Sequence, residues 1–396
     1  MLRVQSLQTQ VDSKFEDISI QPGWRVIVMH VLGAEFIEVL YVWNHPHHDG
    51  TSGKFFHQHL ARNLNESLAQ DKESVLETTK GSDSLILDLS DPSDKLAPNP
   101  ELLSWWLVAP KFLFKALWKE LKPPSIFPPE DTYATWAPIK HKPFTTRFRT
   151  FSVSHEVATN LVRACRLHHT TVTGLVQALA LVSLARSLGD MKGFASRTPY
   201  DLRHILPPNP PRYPWLQPKE TMCNYVSVVD HEFDAKLVAS IRSKRPPRTD
   251  ENASLPSEIM DTVWSVAARV RQEIRARLDS GLFNDSIGIM KFVSDWRAQQ
   301  QGEMQKARYF SWLVTNLGVL DRNVGRAQEQ EEGWSLRKAE LVLSTEILSA
   351  AISVIIMTVK DEQMCVTCSW QDCVVEADIG ERLLGDLERW INEIGS

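Results

Sequence analysis

The chain of 396 residues is 43% hydrophobic and 23% charged, with 44 Lys and Arg against 49 Asp and Glu, a formal charge of −5. That apolar share excludes wholesale disorder, and the length allows one large domain or two ordinary ones, each with a buried core. The mildly acidic balance lacks the concentrated basic face that nucleic acid requires, so no nucleic-acid partner is expected.

The opening residues MLRVQSLQTQVDSK have no apolar centre of the secretory-signal kind. The nearly apolar stretch from Gly174 to Ala185 is shorter than the roughly 20 residues of a membrane span. A cytoplasmic protein is the expectation. Residues 25–31 and 35–43 are rich in β-branched and aromatic side chains around Gly33-Ala34 and predict a hairpin or two adjacent strands. The second strand runs into NHPHHDGTSG, after which Phe55, Phe56, Leu60 and Leu64 recur at helical spacing. The loop therefore sits in a strand–loop–helix unit.

Ten of the 22 prolines lie between Pro92 and Pro143, and a second cluster spans Pro199 to Pro218. Proline fixes φ and removes a backbone donor, so neither stretch is a continuous helix or central strand. The first reads as a crossing linker interrupted by one apolar helical segment within ELLSWWLVAPKFLFKALWKEL (101–121). That segment fits packing in the body better than an interfacial membrane helix, which it also resembles in composition. Ser154 is a candidate N-cap for a helix to Leu167, followed by helices over about 171–188 and 257–278. The basic run IRSKRPPRTDE (241–251) and the polar run RNVGRAQEQEEG (322–333) read as solvated loops, although the former could also meet phosphates. Strands are predicted over 336–343, 352–359 and 364–370, the last ending on a core Trp370, and a closing helix from about Gly380. With helices and strands in no strict βαβ order, and no internal repeat, the pattern is α+β with a mixed sheet. The five cysteines include Cys365 and Cys368 on one predicted strand, facing opposite ways, and read as ordinary reduced thiols.

Five of the 12 histidines, His45, His47, His48, His57 and His59, fall within 15 residues. A zinc site needs three or four ligands on one point, whereas His57 and His59 are two apart on a helix and no Cys or carboxylate completes a set. The segment His45-Pro-His-His-Asp49-Gly50 instead has the form HxxxDG. An imidazole, with an ordinary pKa near 6.5, can take a hydroxyl proton at neutral pH. The Asp can turn back to organise the loop, and Gly50 permits a tight backbone. Taken alone, the motif is read better as a histidine bonded to a turn.

Together with PYDLR (199–203), MCNYVSV (222–228) and TNLGVLD (315–321), the segment WNHPHHDGTSGKFFHQHL resembles the fungal alcohol acetyltransferase branch of the chloramphenicol-acetyltransferase-like superfamily. That superfamily includes the plant BAHD acyltransferases and peptide-synthetase condensation domains. The resemblance covers roughly residues 22 to 375. It implies an α/β sandwich of two lobes (1–145 and 146–396) with an active-site tunnel between them. It also implies acyl transfer, acetyl in the first instance, from acyl-CoA to a small-molecule hydroxyl, with no acyl-enzyme and no resident cofactor or metal. His45 matches the catalytic base and Asp49 the structural acid, with Arg203 as its partner. Thr315 and Asn316 fall where a hydroxyl or amide could hold the oxyanion, and Asn224 is a further supporting site residue. Cys223 stands where relatives have glycine and is expected to narrow the space beside Asn224. The 44 residues before His45 are fewer than in relatives, so a shortened first lobe is expected. A carrier-protein donor, a non-catalytic ligand-binding relative and a metal hydrolase remain as alternatives, and a monomer is the expected state.

Overall fold

The computed structural model describes residues 2–69, 96–122, 126–244, 255–325 and 333–396. The chain starts with α1 (Leu2–Asp12), followed by strands β1 (Trp24–His30) and β2 (Ile37–Trp43) and helix α2 (Gly50–Ala69). After α3 (Pro110–Leu121) come β3 (Thr146–Val153), α4 (His155–Leu167), α5 (Val172–Ser187), β4 (Phe194–Asp201), β5 (Val226–Phe233) and α6 (Ala235–Ser243). Helices α7 (Ser257–Asp279), α8 (Ile287–Met290) and α9 (Trp296–Glu303) precede β6 (Trp312–Leu320), β7 (Ile352–Val359), β8 (Met364–Gln371) and α10 (Ala377–Gly395). Parts of the 92–143 linker and of the two runs 241–251 and 322–333 lie outside the described residues.

β1 and β2 form an antiparallel two-stranded sheet in which Trp24 faces Trp43 and His30 faces Ile37. The main sheet has six strands in the order β3-β8-β7-β6-β4-β5, with β4–β6 and β6–β7 parallel and the other pairs antiparallel. This is the mixed α+β arrangement expected from the sequence. One face is covered by α5, whose residues from Gly174 to Ala185 are all buried. The nearly apolar run is thus a core helix, and no single helix among the described residues is long and apolar enough to cross a membrane. Around it pack Leu161 of α4, Val263 and Val270 of α7, and Leu387 and Trp390 of α10, all on the main core with Trp312 and Trp370. Ser154 caps α4, its hydroxyl accepting from Val157 N.

Two expectations need correction. The predicted strand over 336–343 is irregular and pairs with no strand among the described residues; β6 and β7, on which it packs, are already paired on both sides. A parallel β6–β7 pair needs a crossover, and these residues belong to it. Leu336, Ala339 and Leu341 pack on Leu320, Met357 and Val359 instead of pairing. The closing helix also begins earlier than expected, at Ala377.

Helix α1 lies against the edge of the main sheet. Gln8 Nε2 donates to Thr146 O at 2.8 Å, Thr146 N donates to Asp12 Oδ1 at 2.8 Å, and Arg3 pairs with Glu340 on the crossover.

Candidate active site

The predicted strand–loop–helix unit is present: β2 ends at Trp43, residues 44–49 turn, and α2 begins at Gly50. Asp49 serves as the N-cap of α2. Its Oδ1 accepts from Ser52 N at 2.8 Å, which satisfies one of the helix's otherwise orphaned N–H groups. The same carboxylate, fully buried, meets Arg203 through two bonds, Nη1 to Oδ2 at 2.7 Å and Nη2 to Oδ1 at 3.1 Å. Tyr225 N donates to Oδ2 at 3.0 Å. One carboxylate therefore ties the start of α2 to the segments before and at the start of β5. Arg203 was the expected partner, and the contact spans 154 residues of sequence.

Arg203 is itself only 1% exposed. It also donates to Asp201 Oδ1 at 3.0 Å, Cys223 O at 2.8 Å and Thr221 O at 3.2 Å. Burial alone would lower its pKa, but the hydrogen bonds and charge of Asp49 outweigh burial and hold it above the ordinary value. The guanidinium stays charged, as a buried bidentate pair requires.

His45 is half-buried and lines a cavity of about 700 Å³. Its backbone carbonyl accepts from Asn224 Nδ2 at 2.9 Å, so Asn224 holds the backbone of the loop. Among the described residues no hydrogen bond engages the His45 ring. The cavity is lined from both halves of the chain: His45, Gly50 and Lys54 on one side, Val226, Val228, Leu313 and Thr315 on the sheet, and Leu341 and Leu343 from the crossover. Leu313 and Thr315, two apart on β6, share a sheet face. Asn316 also borders the cavity, but its amide is engaged elsewhere, Nδ2 donating to Thr173 Oγ1 at 3.3 Å and Oδ1 accepting from Gly318 N at 2.8 Å. Its amide thus holds the irregularity in β6, where Gly318 adopts φ +71°.

The reason given for Gly50 is corrected by the geometry. Its φ is not in the left-handed region; a Cβ there would lie 2.5 Å from Leu317 Cδ2, so glycine allows close approach of α2 to β6. Cys223 does not narrow the cavity. Its thiol turns toward Arg203 Nη2 and Thr221 O, both at 3.5 Å, and burial pushes its pKa up to about 12.

Residues singled out only by the structure are Ser52 and Lys54. The Ser52 hydroxyl accepts from Cys223 N at 2.9 Å and lies 3.0 Å from Asp49 Oδ1. Asp49 followed three residues later by Ser52 was a readable capping pattern; its tie to Cys223 was not. Lys54 Nζ donates to Leu317 O at 2.6 Å, and burial lowers its pKa against the pull of Asp201.

The other loop histidines diverge. His47 covers Gly23, and His48 Nδ1 lies 2.6 Å from the Tyr41 hydroxyl. Burial lowers the His57 pKa from 6.5 to about 4. The folded chain then resists a proton that the unfolded chain binds below 6.5, so stability is full above that pH and falls as pH drops through about 4. Urea midpoints taken at about pH 7 and about pH 5 should fall in the parent and fall less in His57→Phe. Equal losses in both proteins would refute this.

A sequence model of the alcohol acetyltransferase family matches residues 3–378. The chain is 27% identical over 412 residues to the probable alcohol acetyltransferase FCK4 of Fusarium pseudograminearum, spanning 99% of this chain and 75% of that protein. It is 24% identical to the probable alcohol acetyltransferase crmB of Aspergillus fumigatus, spanning 93% of this chain and 72% of that protein. Among solved structures, it resembles the TRI3 trichothecene 15-O-acetyltransferase of Fusarium sporotrichioides with a TM-score of 0.61 at 16% identity, over 90% of this chain and 66% of that one. It also resembles the epimerization domain of the third module of tyrocidine synthetase B, with a TM-score of 0.56 at 13% identity, over 100% and 76%. The structural likenesses establish a condensation- and acetyltransferase-type fold. With the HxxxDG loop, its buried Asp–Arg clamp and the family match over nearly the whole chain, the protein belongs to the alcohol acetyltransferase family.

Proposed function

We propose that the chain moves an acyl group, acetyl in the first instance, from acyl-CoA to a hydroxyl of a small molecule, with His45 as general base. The observation that carries this reading is the placement of His45 on a cavity of about 700 Å³, four residues before an Asp locked by Arg203. The acceptor hydroxyl gives its proton to the His45 ring as its oxygen attacks the thioester carbonyl. The tetrahedral oxyanion collapses and expels the CoA thiolate, which takes the proton back from the imidazolium. Thr315, on the cavity face of β6, is the candidate donor to the oxyanion. Asn316 and Gly50 act through position, the first on the β6 irregularity and the second on the contact with Leu317.

Transfer in this reading is direct, without an acyl-enzyme, and Cys223 is not placed to act as a thiol nucleophile. This thiol is absent from the cavity lining and held protonated by burial, whereas a cysteine nucleophile acts as thiolate. Residues 1–145 and 146–396 serve in this reading as two lobes, with cavity walls from each. The test is release of free thiol from acetyl-CoA by the purified chain, with and without a panel of alcohols. Alcohol-dependent thiol release matched by ester formation is expected. Release with no ester, or none with any alcohol, would count against the reading.

A further inference from the structure

Helix α3 contains no buried residue. The packing expected for the segment 101–121 is made by Leu103 and Trp106 ahead of the helix, whereas α3 itself meets the body on one side. On that inner side Tyr309 donates its hydroxyl to Lys119 O at 3.1 Å, the Lys119 ammonium sits 4.2 Å from the centre of the Tyr309 ring, and Lys306 Nζ bonds Glu120. The helix is thus fixed to the body, with its other side exposed among the described residues.

That outer side is ordered by helical spacing. Lys111, Phe114, Lys115, Trp118 and Leu121 are linked by three- and four-residue spacings (111–114, 111–115, 114–118, 115–118 and 118–121) and form one stripe, all exposed. Phe114 is 68% exposed, Trp118 48% and Leu121 71%. The Phe114 and Trp118 rings stack, and Trp118 meets Phe127 edge to face at 5.2 Å. On the inner side α9 also meets α3, Gln299 Nε2 donating to Glu120 Oε1 at 3.4 Å. The one carboxylate of α3, Glu120, is turned inward to Lys306.

We propose that this stripe docks on an anionic lipid bilayer surface, lying in its interface rather than crossing it. Aromatic rings with a polar or polarisable edge favour the headgroup boundary, and interleaved lysines can bury their stems while their ammonium groups reach anionic headgroups. A second copy of the chain fits less well. A two-fold interface centred on this stripe would bring Lys111 and Lys115 against their own counterparts, with no carboxylate on the stripe to answer them. Because the surface lies outside the acyl-transfer machinery, its test does not depend on catalysis.

The test is flotation of the full chain with phosphatidylcholine vesicles, with and without phosphatidylserine. The parent should float with the anionic vesicles, more weakly with phosphatidylcholine alone, and less as salt rises. Phe114→Glu with Trp118→Glu should abolish flotation. Lys111→Ala and Lys115→Ala should each lower partitioning to anionic vesicles roughly fivefold. Since all four side chains are exposed, urea midpoints should match the parent, and the lysine variants give an independent reading should the charged aromatic variant fold poorly. Val26→Glu with Val28→Glu, on the exposed face of β1, should float like the parent. The proposal is overturned if the parent stays at the bottom with anionic vesicles, or if the lysine variants bind as the parent does. It is equally overturned if only the β1 variant loses binding, or if the aromatic pair instead removes a concentration-dependent dimer that never floats.

Discussion

His45→Ala should leave a folded protein whose acyl transfer is slower by roughly 10²–10⁴-fold, the usual worth of a positioned general base. The loss should fall on kcat and on kcat/KM alike, with KM little changed, because the imidazole acts on the proton in flight rather than on bound substrate. The unfolding midpoint should stay near that of the parent. The ring is half-buried, and the bond that fastens this residue, from Asn224 Nδ2, goes to its backbone carbonyl and survives the substitution. Alcohol-dependent thiol release measured across a substrate range, beside urea unfolding, separates these effects. Transfer at the parent rate by purified His45→Ala would remove the histidine from the mechanism.

Arg203→Met should behave in the opposite way, with stability lost first and activity as a consequence. The pair it breaks has both side chains essentially out of water, and removing one partner from such a pair typically costs about 3–5 kcal/mol. Asp49 would keep its bonds from Ser52 and Tyr225 but lose the charge that compensates its burial. The double variant Asp49→Ala with Arg203→Met should cost less than the sum of the single changes, since each single change strands a buried charge. Urea unfolding of the three proteins checks this. A midpoint for Arg203→Met within about 1 kcal/mol of the parent would show the clamp to be dispensable.

The contrast between the two variants follows from where each group sits. His45 is placed by its backbone and turned to the cavity, whereas Asp49 and Arg203 are spent on each other and on the backbone around them. A single loop of six residues thus separates a group free to react from a group that fixes geometry. Thr171 and Ser154 cap their helices in the way that Asp49 caps α2, but neither is also paired with a buried cation.

Much of this was legible in the residue pattern. The hairpin, the helices over 155–167, 172–187 and 257–279, and strands β7 and β8 are local in origin, set by periodicities of two and 3.6 and by caps such as Ser154. The candidate residues of the HxxxDG loop were also visible in the pattern, because they lie in neighbouring positions. The segment 336–343 was misread for the reason that periodicity reports an apolar face without saying what covers it. Leu336 and Leu341 do face an apolar surface, but it is formed by Leu320 of β6 and Met357 and Val359 of β7, strands already paired on both sides.

By itself, then, the sequence determined the mixed α+β character and the positions of the candidate histidine and of the acid four residues after it, since these depend on neighbours in the chain. Tertiary structure alone decided that Cys223 lies behind Arg203 rather than in the cavity, that Asn316 turns to Thr173, that Gly50 lies against Leu317, and that the aromatic stripe of α3 is exposed among the described residues. Each of these is a contact, or a missing contact, between segments many residues apart. Which side of a helix or strand such segments cover is fixed by the packing of the whole core, which no local propensity encodes.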